Sequence, residues 1–165
     1  MSPTDEGKRK GFLHALSDRV NTVTEAALFV TLVAMVIVTV AQVVFRFFFE
    51  ALTWSEELAC FLLVLASLLG AAVAFKRGSH ISVTFLLDKL PPTGKKAMRT
   101  FITLLGMGFF VIVAYYGAVL MGTEAGQRSP ALQLSMKWVY LMYPLMGGIT
   151  ILHFIDALAS IWERS

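Results

Sequence analysis

The sequence predicts an all-α membrane protein with four transmembrane helices, both termini in the cytoplasm, and a short amphipathic helix at the membrane surface between helices 2 and 3. Composition is the first reason, because 57% of the 165 residues are hydrophobic and only 15% are charged, whereas a soluble domain carries about 25% charged residues. Four long apolar runs are the second reason, and a one-sided distribution of Lys and Arg is the third. A membrane orientation signal explains the net charge of +3 better than nucleic-acid binding does.

Each of the four apolar runs is long enough for a helix that crosses about 30 Å of hydrocarbon, which takes about 20 residues. Buried helices of a soluble protein can be equally apolar, but four of them would leave too few polar residues to cover the surface. We therefore expect a single transmembrane bundle over residues 1–165, with a cytoplasmic N-terminal segment at 1–20. The predicted spans are residues 24–46, 54–76, 98–122 and 136–158.

Helix 1 is predicted from the uncharged run between Ala26 and Phe45. Thr22 and Glu25, just before it, match a capping box, in which a hydroxyl and a carboxylate bond to the free backbone N–H groups of a helix start. This match places the entry to helix 1 near Thr22 and gives Glu25 a structural role.

Helix 2 is also preceded by a capping-box pattern, formed by Thr53 and Glu56. Within the helix, Ala66, Gly70 and Ala74 recur every four residues, the spacing that lets a second helix approach closely in a membrane. We expect a tight helix crossing on this stripe.

The segment between helices 2 and 3 is too short to cross the membrane, yet it is amphipathic. We predict an interfacial helix at residues 80–90, ended by Pro91. Phe85 belongs to a second apolar patch suited to protein contact, and we interpret His80 as a capping residue and not as a ligand. One apolar face is formed by Val83, Leu86, Leu87 and Leu90.

Helices 3 and 4 carry their own packing signals. Glycines on helix 3 are expected to permit close helix contact in the same way as the small residues of helix 2. Pro144 removes a backbone donor inside helix 4 and should bend that helix. The helix 3 glycines are Gly106, Gly108 and Gly117.

Orientation follows from the basic residues. Eleven of the 14 Lys and Arg side chains lie in the N-terminal segment, the connection between helices 2 and 3, and the C-terminus. Only Arg46, Arg128 and Lys137 lie in the other two connections, so the positive-inside rule places both termini in the cytoplasm. Trp54 and Trp138 then lie at the outer interface, where tryptophan is common.

The predicted spans contain few residues that could carry out proton transfer or catalysis or bind a ligand. No run has an Asp, Glu, Lys or Arg at its centre, where ion and proton pathways usually place one. We interpret His153 and Asp156 as a hydrogen-bonded pair near the inner end of helix 4 in preference to a proton relay. Cys60, the single cysteine, is expected to be a small buried residue. We expect no catalytic, metal or substrate-binding residues, no cofactor and no enzyme activity.

Two other kinds of four-helix membrane protein fit the sequence less well. An electron-transfer anchor holds haem through inward-facing histidines, but only His153 lies within a span. A small proton-coupled exporter needs an acidic residue deep in a helix, and helix 1 has none.

Several short motifs, in order along nearly the whole chain, resemble one known family: the small membrane subunit, of DctQ type, of the tripartite ATP-independent periplasmic (TRAP) transporters. The sequence departs from the family pattern at Thr84, where an acidic residue is common, and in the polar stretch from Ser135 to Lys137. The motifs are Asn21, Ala41-Gln42-Val43, Phe45-Arg46, Trp54-Ser55-Glu56-Glu57, Gly70-Ala71-Ala72, His80-Ile81-x-Val83, Leu90-Pro91, Ser129-Pro130-Ala131-Leu132, Tyr140 and Pro144.

The resemblance implies a partner and a location. The partner would be a large multi-span permease that moves organic acids, such as dicarboxylates or sialic acids, with sodium, while a periplasmic protein delivers the substrate. This chain would be its scaffold in the bacterial inner membrane, in contact with lipids, and sodium coupling would reside in the large subunit. Membership of another complex, as an anchor or assembly subunit, is the alternative.

A charge cluster is expected near the outer ends of helices 1 and 2. Arg46 would pair with Glu56 or Glu57, leaving Glu57 free to meet a partner; the alternative is a solvated surface pair contributing about 0 to 1 kcal/mol. The candidate interface or structural residues are Gln42, Arg46, Trp54, Glu56, Glu57, Ala66, Gly70, Ala74, His80, Phe85 and Pro144.

Overall fold

A computed structural model describes residues 3–77 and 91–163 of the chain. The predicted interfacial helix at 80–90, with His80 and Phe85, lies outside the described residues. The described part is all-helical, and each of its four helices is long and apolar enough to cross a membrane. The prediction of four helices able to span a membrane is therefore confirmed. The helices are α1 (Pro3–Phe48), α2 (Ser55–Lys76), α3 (Pro92–Thr123) and α4 (Met136–Glu163).

Helix α1 is much longer than predicted. Its 46 residues extend over about 70 Å at 1.5 Å per residue, more than twice the thickness of the hydrocarbon core. The helix passes through Thr22 without a break, so the predicted capping box at Thr22 and Glu25 is wrong. The Thr22 hydroxyl instead donates to the carbonyl of Asp18, one turn back, at 3.0 Å.

Helix α2 begins without a capping side chain. Its N-cap residue is Trp54, so Thr53 lies one residue too early to reach the free N–H groups of the first turn, and the second predicted capping box is also wrong. The Ser55 hydroxyl donates to the carbonyl of Leu52 at 2.8 Å and closes the turn before the helix. Glu56 in the first turn still interacts favourably with the helix dipole.

The four helices follow the spatial order α1, α2, α4, α3, in a row that is bent so that α1 also contacts α4. Among the described residues, the backbone of α3 comes close only to that of α4. Below, the ends of the helices that carry Lys76 and Asp156 are called the basic end, and the ends that carry Trp54 and Trp138 are called the tryptophan end.

Glycines bring α3 and α4 together. A Cβ atom on Gly106 would lie 2.6 Å from the ring of Phe154, and one on Gly147 would lie 2.8 Å from the Cβ of Ala114. A side chain at Gly147 would meet the backbone of α3 and push the helices apart, whereas one at Gly106 would displace the ring of Phe154. Gly108 behaves differently, because a Cβ there would meet nothing within 4 Å.

Pro144 lies at this same contact. Helix α4 continues through it from Met136 to Glu163, and its ring Cδ would lie 3.0 Å from a Cβ on Gly117. Pro144 therefore packs against α3, and the bend that it should introduce stays a prediction.

An aromatic cluster closes the core near the basic end. The Phe75 ring of α2 lies 5.4 Å from Phe110 of α3, edge to face, and 4.8 Å from Phe154 of α4. These are favourable distances for aromatic pairs. Side chains thus connect α2 with α3 where their backbones stay apart.

Candidate functional site

At the tryptophan end, Glu57 connects α2 to the loop between α3 and α4. Its Oε2 accepts the backbone N–H groups of Ala131 at 2.8 Å and Leu132 at 3.1 Å. Hydrogen bonds to a charged acceptor are stronger than neutral ones. Glu57 was predicted to be free to meet a partner. It is instead bonded to the Ser129-Pro130-Ala131-Leu132 motif. Two of the motifs that resemble the TRAP family meet at this contact.

The loop is shaped to present those two N–H groups. Gln133 has a φ of 55°, a left-handed conformation that is uncommon outside glycine, and its side-chain amide donates to the carbonyl of Pro130 at 3.0 Å. Arg128 and Ser135 form an isolated antiparallel bridge across the base of the loop. These bonds turn the backbone toward α2.

The predicted ion pairs of Arg46 do not form. Within the described residues, no salt bridge joins Arg46 to Glu56 or to Glu57, because Glu57 is bonded to the loop. Arg46 and Glu56 are exposed, Trp54 is 40% exposed, and Gln42 is half-buried. These side chains are available to a molecule outside the chain.

At the basic end, Lys76 is the centre of a cluster that joins three helices. Its Nζ lies 2.8 Å from Oδ1 of Asp18 on α1 and 2.7 Å from Oδ2 of Asp156 on α4. The side chains of Lys76 and Asp156 are only 13% and 12% exposed. His14 completes the cluster, with Nδ1 3.2 Å from both oxygens of Asp156. We refer to these four residues as the Lys76 cluster.

His153 lies next to this cluster but bonds elsewhere. It is buried, and its Nδ1 lies 2.9 Å from the hydroxyl of Ser17, which is also buried. The predicted pair of His153 with Asp156 is therefore wrong. Although the two residues are three positions apart on α4, His153 bonds to Ser17 of α1, and Asp156 bonds to Lys76 of α2 and His14 of α1.

Arg77 makes a second connection between α2 and α1. Its guanidinium meets the carboxylate of Glu25 at two points, NH2 to Oε2 at 2.8 Å and Nε to Oε1 at 2.9 Å. Asn21 also donates to Oε1 of Glu25, at 2.7 Å. Sequence reasoning missed both connections, although Asp18 and Glu25 are seven residues apart, on one face of α1, and could have been matched with the adjacent Lys76 and Arg77.

The predicted small-residue stripe of α2 divides between two faces. Ala66 is buried in the row of helices, whereas Ala74 is exposed and a Cβ on Gly70 would meet nothing within 4 Å. Cys60, which was predicted to be buried, is exposed on the same side of the helix as Gly70 and Ala74, as is Ser67. We call Cys60, Ser67, Gly70 and Ala74 the small-residue face of α2; the larger side chain of Leu63, 54% exposed, lies among them on the same side of the helix.

The exposed surfaces of α1 and α3 have a different composition. Large side chains such as Phe29 and Ile37 on α1, and Leu105 and Phe109 on α3, are each more than 60% exposed. Bulky apolar side chains are well suited to lipid, whereas small ones permit the close approach of another helix. Within the described part of the chain, no group of three or more His, Cys, Asp or Glu residues could hold a metal ion.

Comparison with known proteins places this architecture in context. The profile of the family described as tripartite ATP-independent periplasmic transporters, DctQ component, matches residues 35–164. The sialic acid TRAP transporter small permease protein SiaQ of Vibrio cholerae is 33% identical over 101 residues, which cover 58% of this chain and 55% of SiaQ. The C4-dicarboxylate TRAP transporter small permease protein DctQ of Rhodobacter capsulatus is 34% identical over 111 residues, covering 64% and 47%.

A longer relative is the sialic acid TRAP transporter permease protein SiaT of Haemophilus influenzae. It is 28% identical over 121 residues, which cover 73% of this chain but only 20% of SiaT. The match to this chain thus spans about half of each small permease relative and a fifth of SiaT. All three relatives are transport proteins, and so the prediction that the chain is not an enzyme is confirmed.

Proposed function

The chain belongs to the DctQ component family of the tripartite ATP-independent periplasmic transporters, and on that premise we propose that it is the fixed scaffold of a large, sodium-coupled permease subunit. It is a multi-pass integral membrane protein of the bacterial inner membrane. In our proposal a periplasmic binding protein delivers an organic acid to the complex, and the large subunit moves that acid and the coupling sodium ions across the membrane.

The observation that carries the scaffold role is that charged side chains near the helix ends bond within the chain. Lys76 joins α1, α2 and α4 through two carboxylates, and Glu57 fastens α2 to the loop between α3 and α4. Internal bonds of this kind hold helices in one arrangement, as a scaffold requires, and they leave these groups engaged instead of lining a substrate path.

The small-residue face of α2 supports a location for the large subunit. Gly70 and Ala74 allow the backbone of another helix to come close, which favours association in a membrane. Glu56 lies one turn before Cys60 on this face and is exposed at its tryptophan end, with Arg46 and Gln42 near the same end of the neighbouring α1. We expect polar contacts to the partner there and close helix packing along the rest of the face. His80 and Phe85 are proposed as further contacts from the sequence alone.

The orientation that fits this role places the basic end in the cytoplasm. The excess of Lys and Arg beside the membrane at that end supports it through the positive-inside rule. The loop held by Glu57 then lies on the periplasmic side, where the binding protein arrives.

The substrate class is proposed from the relatives. Two of them are named for sialic acid and one for C4-dicarboxylates, all of which are carboxylate anions. We propose an organic acid of this general kind as the substrate. Selection among such acids would belong to the large subunit and the binding protein.

The experiment that tests the proposal is purification of the tagged full chain from its own bacterium in mild detergent, followed by mass spectrometry of what accompanies it. We expect a much larger multi-span permease. The complex reconstituted in liposomes should take up an organic acid only with its binding protein and an inward sodium gradient. Recovery of a haem-containing oxidoreductase in place of a permease would establish the alternative role as an anchor of another complex.

A further inference from the structure

An apolar groove of about 770 Å³ runs along α3, outside the small-residue face of α2. Ile102, Leu105, Phe109 and Ile112 line it on α3, and Phe75 from the end of α2 forms the opposite wall. The groove is open to the membrane, since Leu105, Phe109 and Ile112 are all exposed.

The groove exists because α2 and α3 do not pack closely. Their backbones are held apart by the intervening α4, and the ring of Phe75 reaches across to Phe110. Gly106 and Gly108 add no side chains to fill the space. A Cβ on Gly108 would meet nothing within 4 Å, so the space beside Gly108 is open.

The length of the groove indicates what it can hold. From Ile102 to Ile112 is about 15 Å along a helix axis, which equals half of the roughly 30 Å hydrocarbon core, or one leaflet. A transmembrane helix extends through both leaflets, so the groove would cover only about half of its length. An acyl chain of one leaflet matches the whole length of the groove.

A charged residue lies where the headgroup of such a lipid would be. Arg99 is exposed and precedes Ile102 by one turn, on the side of the groove nearest the basic end. The first turn of α3 contains no acidic residue that would offset this charge. We propose that the groove binds one acyl chain of an anionic phospholipid from the leaflet at the basic end, with the headgroup phosphate at Arg99.

The first test is native mass spectrometry of the purified full chain, with phosphatidylglycerol added and phosphatidylcholine as competitor. Gly108→Leu should lower the bound fraction several-fold by filling the groove, while Gly122→Leu, a matched control at another open glycine of α3, should leave it unchanged. Arg99→Gln should reduce the preference for phosphatidylglycerol about fivefold, the equivalent of about 1 kcal/mol for one basic residue at an anionic surface. Arg46→Gln, at the opposite end, should not. Equal effects of each variant and its control would overturn the proposal.

A second test uses the unaltered chain, so that it does not depend on how a variant folds. Phosphatidylglycerol with a photoreactive acyl chain is incorporated into liposomes with the protein, and the crosslinked peptides are mapped. Crosslinks concentrated at residues 102–112 support the groove. Crosslinks spread evenly over the exposed surfaces of α1 and α3 would show only bulk lipid and overturn it. Neither result bears on whether the large subunit co-purifies.

Discussion

Lys76, the last residue of α2, bonds to Asp156 of α4 at 2.7 Å with little exposure of either side chain to solvent. Asp18 of α1 shares the same ammonium group at 2.8 Å. One cation therefore balances two carboxylates from two other helices. The arrangement is sensitive to loss of the lysine, because removal would leave two like charges close together with only the imidazole of His14 beside them.

Lys76→Met should destabilise the isolated subunit by about 2 to 4 kcal/mol, close to the cost of breaking a buried ion pair. The measurement is the thermal unfolding midpoint in detergent, followed by circular dichroism. Arg77→Met is the control, and a smaller loss is expected. The pair of Arg77 with Glu25 is more exposed and should contribute about 0 to 1 kcal/mol to the free energy of unfolding. Equal losses from the two variants would contradict the central role of Lys76.

Glu57→Gln should loosen the loop between α3 and α4. The carboxylate accepts two backbone N–H groups, and hydrogen bonds to a charged group contribute about 1.5 to 3 kcal/mol each. Hydrogen–deuterium exchange at Ala131 and Leu132 should therefore be at least about tenfold faster, since about 1.4 kcal/mol is a factor of ten. Glu56→Gln, one residue away and exposed, should leave these amides as slow as in the unaltered protein.

Gly147→Ala should destabilise the contact between α3 and α4 by about 1 to 3 kcal/mol, the usual cost of overpacking. The added Cβ would lie 2.8 Å from Ala114 and 3.2 Å from a backbone oxygen of α3, so the helices themselves must move. Gly148→Ala is the matched control because its Cβ meets nothing within 4 Å. A higher unfolding midpoint is expected for the control, since alanine favours the helix. A neutral Gly147→Ala would show that the helices separate without cost.

Gly70→Leu should weaken association with the large subunit while leaving the isolated chain as stable as before. A leucine at Gly70 meets no atom of this chain at its Cβ but would obstruct a helix packed on that face. A loss of about 1.4 kcal/mol would reduce co-purification about tenfold at limiting concentration. Gly122→Leu serves as control. If both variants retain the large subunit equally, it binds on another face.

Hydropathy predicted the four helices because span length and apolar content are properties of each segment alone. A prediction from local sequence was wrong at the predicted start of helix 1. Thr22 and Glu25 match the sequence pattern of a capping box, but a capping side chain bonds to free backbone N–H groups only where a helix begins. Neither residue carries a signal that distinguishes a helix start from a helix interior.

The contacts of Glu57 with Ala131 and of Lys76 with Asp156 were beyond prediction for a different reason. Glu57 and Ala131 are 74 residues apart, and Lys76 and Asp156 are 80 residues apart. Which helix ends meet depends on the order of the helices in the row, and no single segment encodes that order. Glu57 was predicted to be free to meet a partner outside the chain, whereas its Oε2 accepts two backbone N–H groups of this chain.

The row of helices has a consequence for biosynthesis. In chain order α3 enters the membrane third, but among the described helices its backbone closely approaches only α4, which follows it. Until α4 is translated and inserted, α1 and α2 can already pack together, whereas α3 lies in lipid with its packing glycines uncovered. A nascent chain cut short before residue 136 should therefore present quality-control proteases with an α3 that lacks its packing partner.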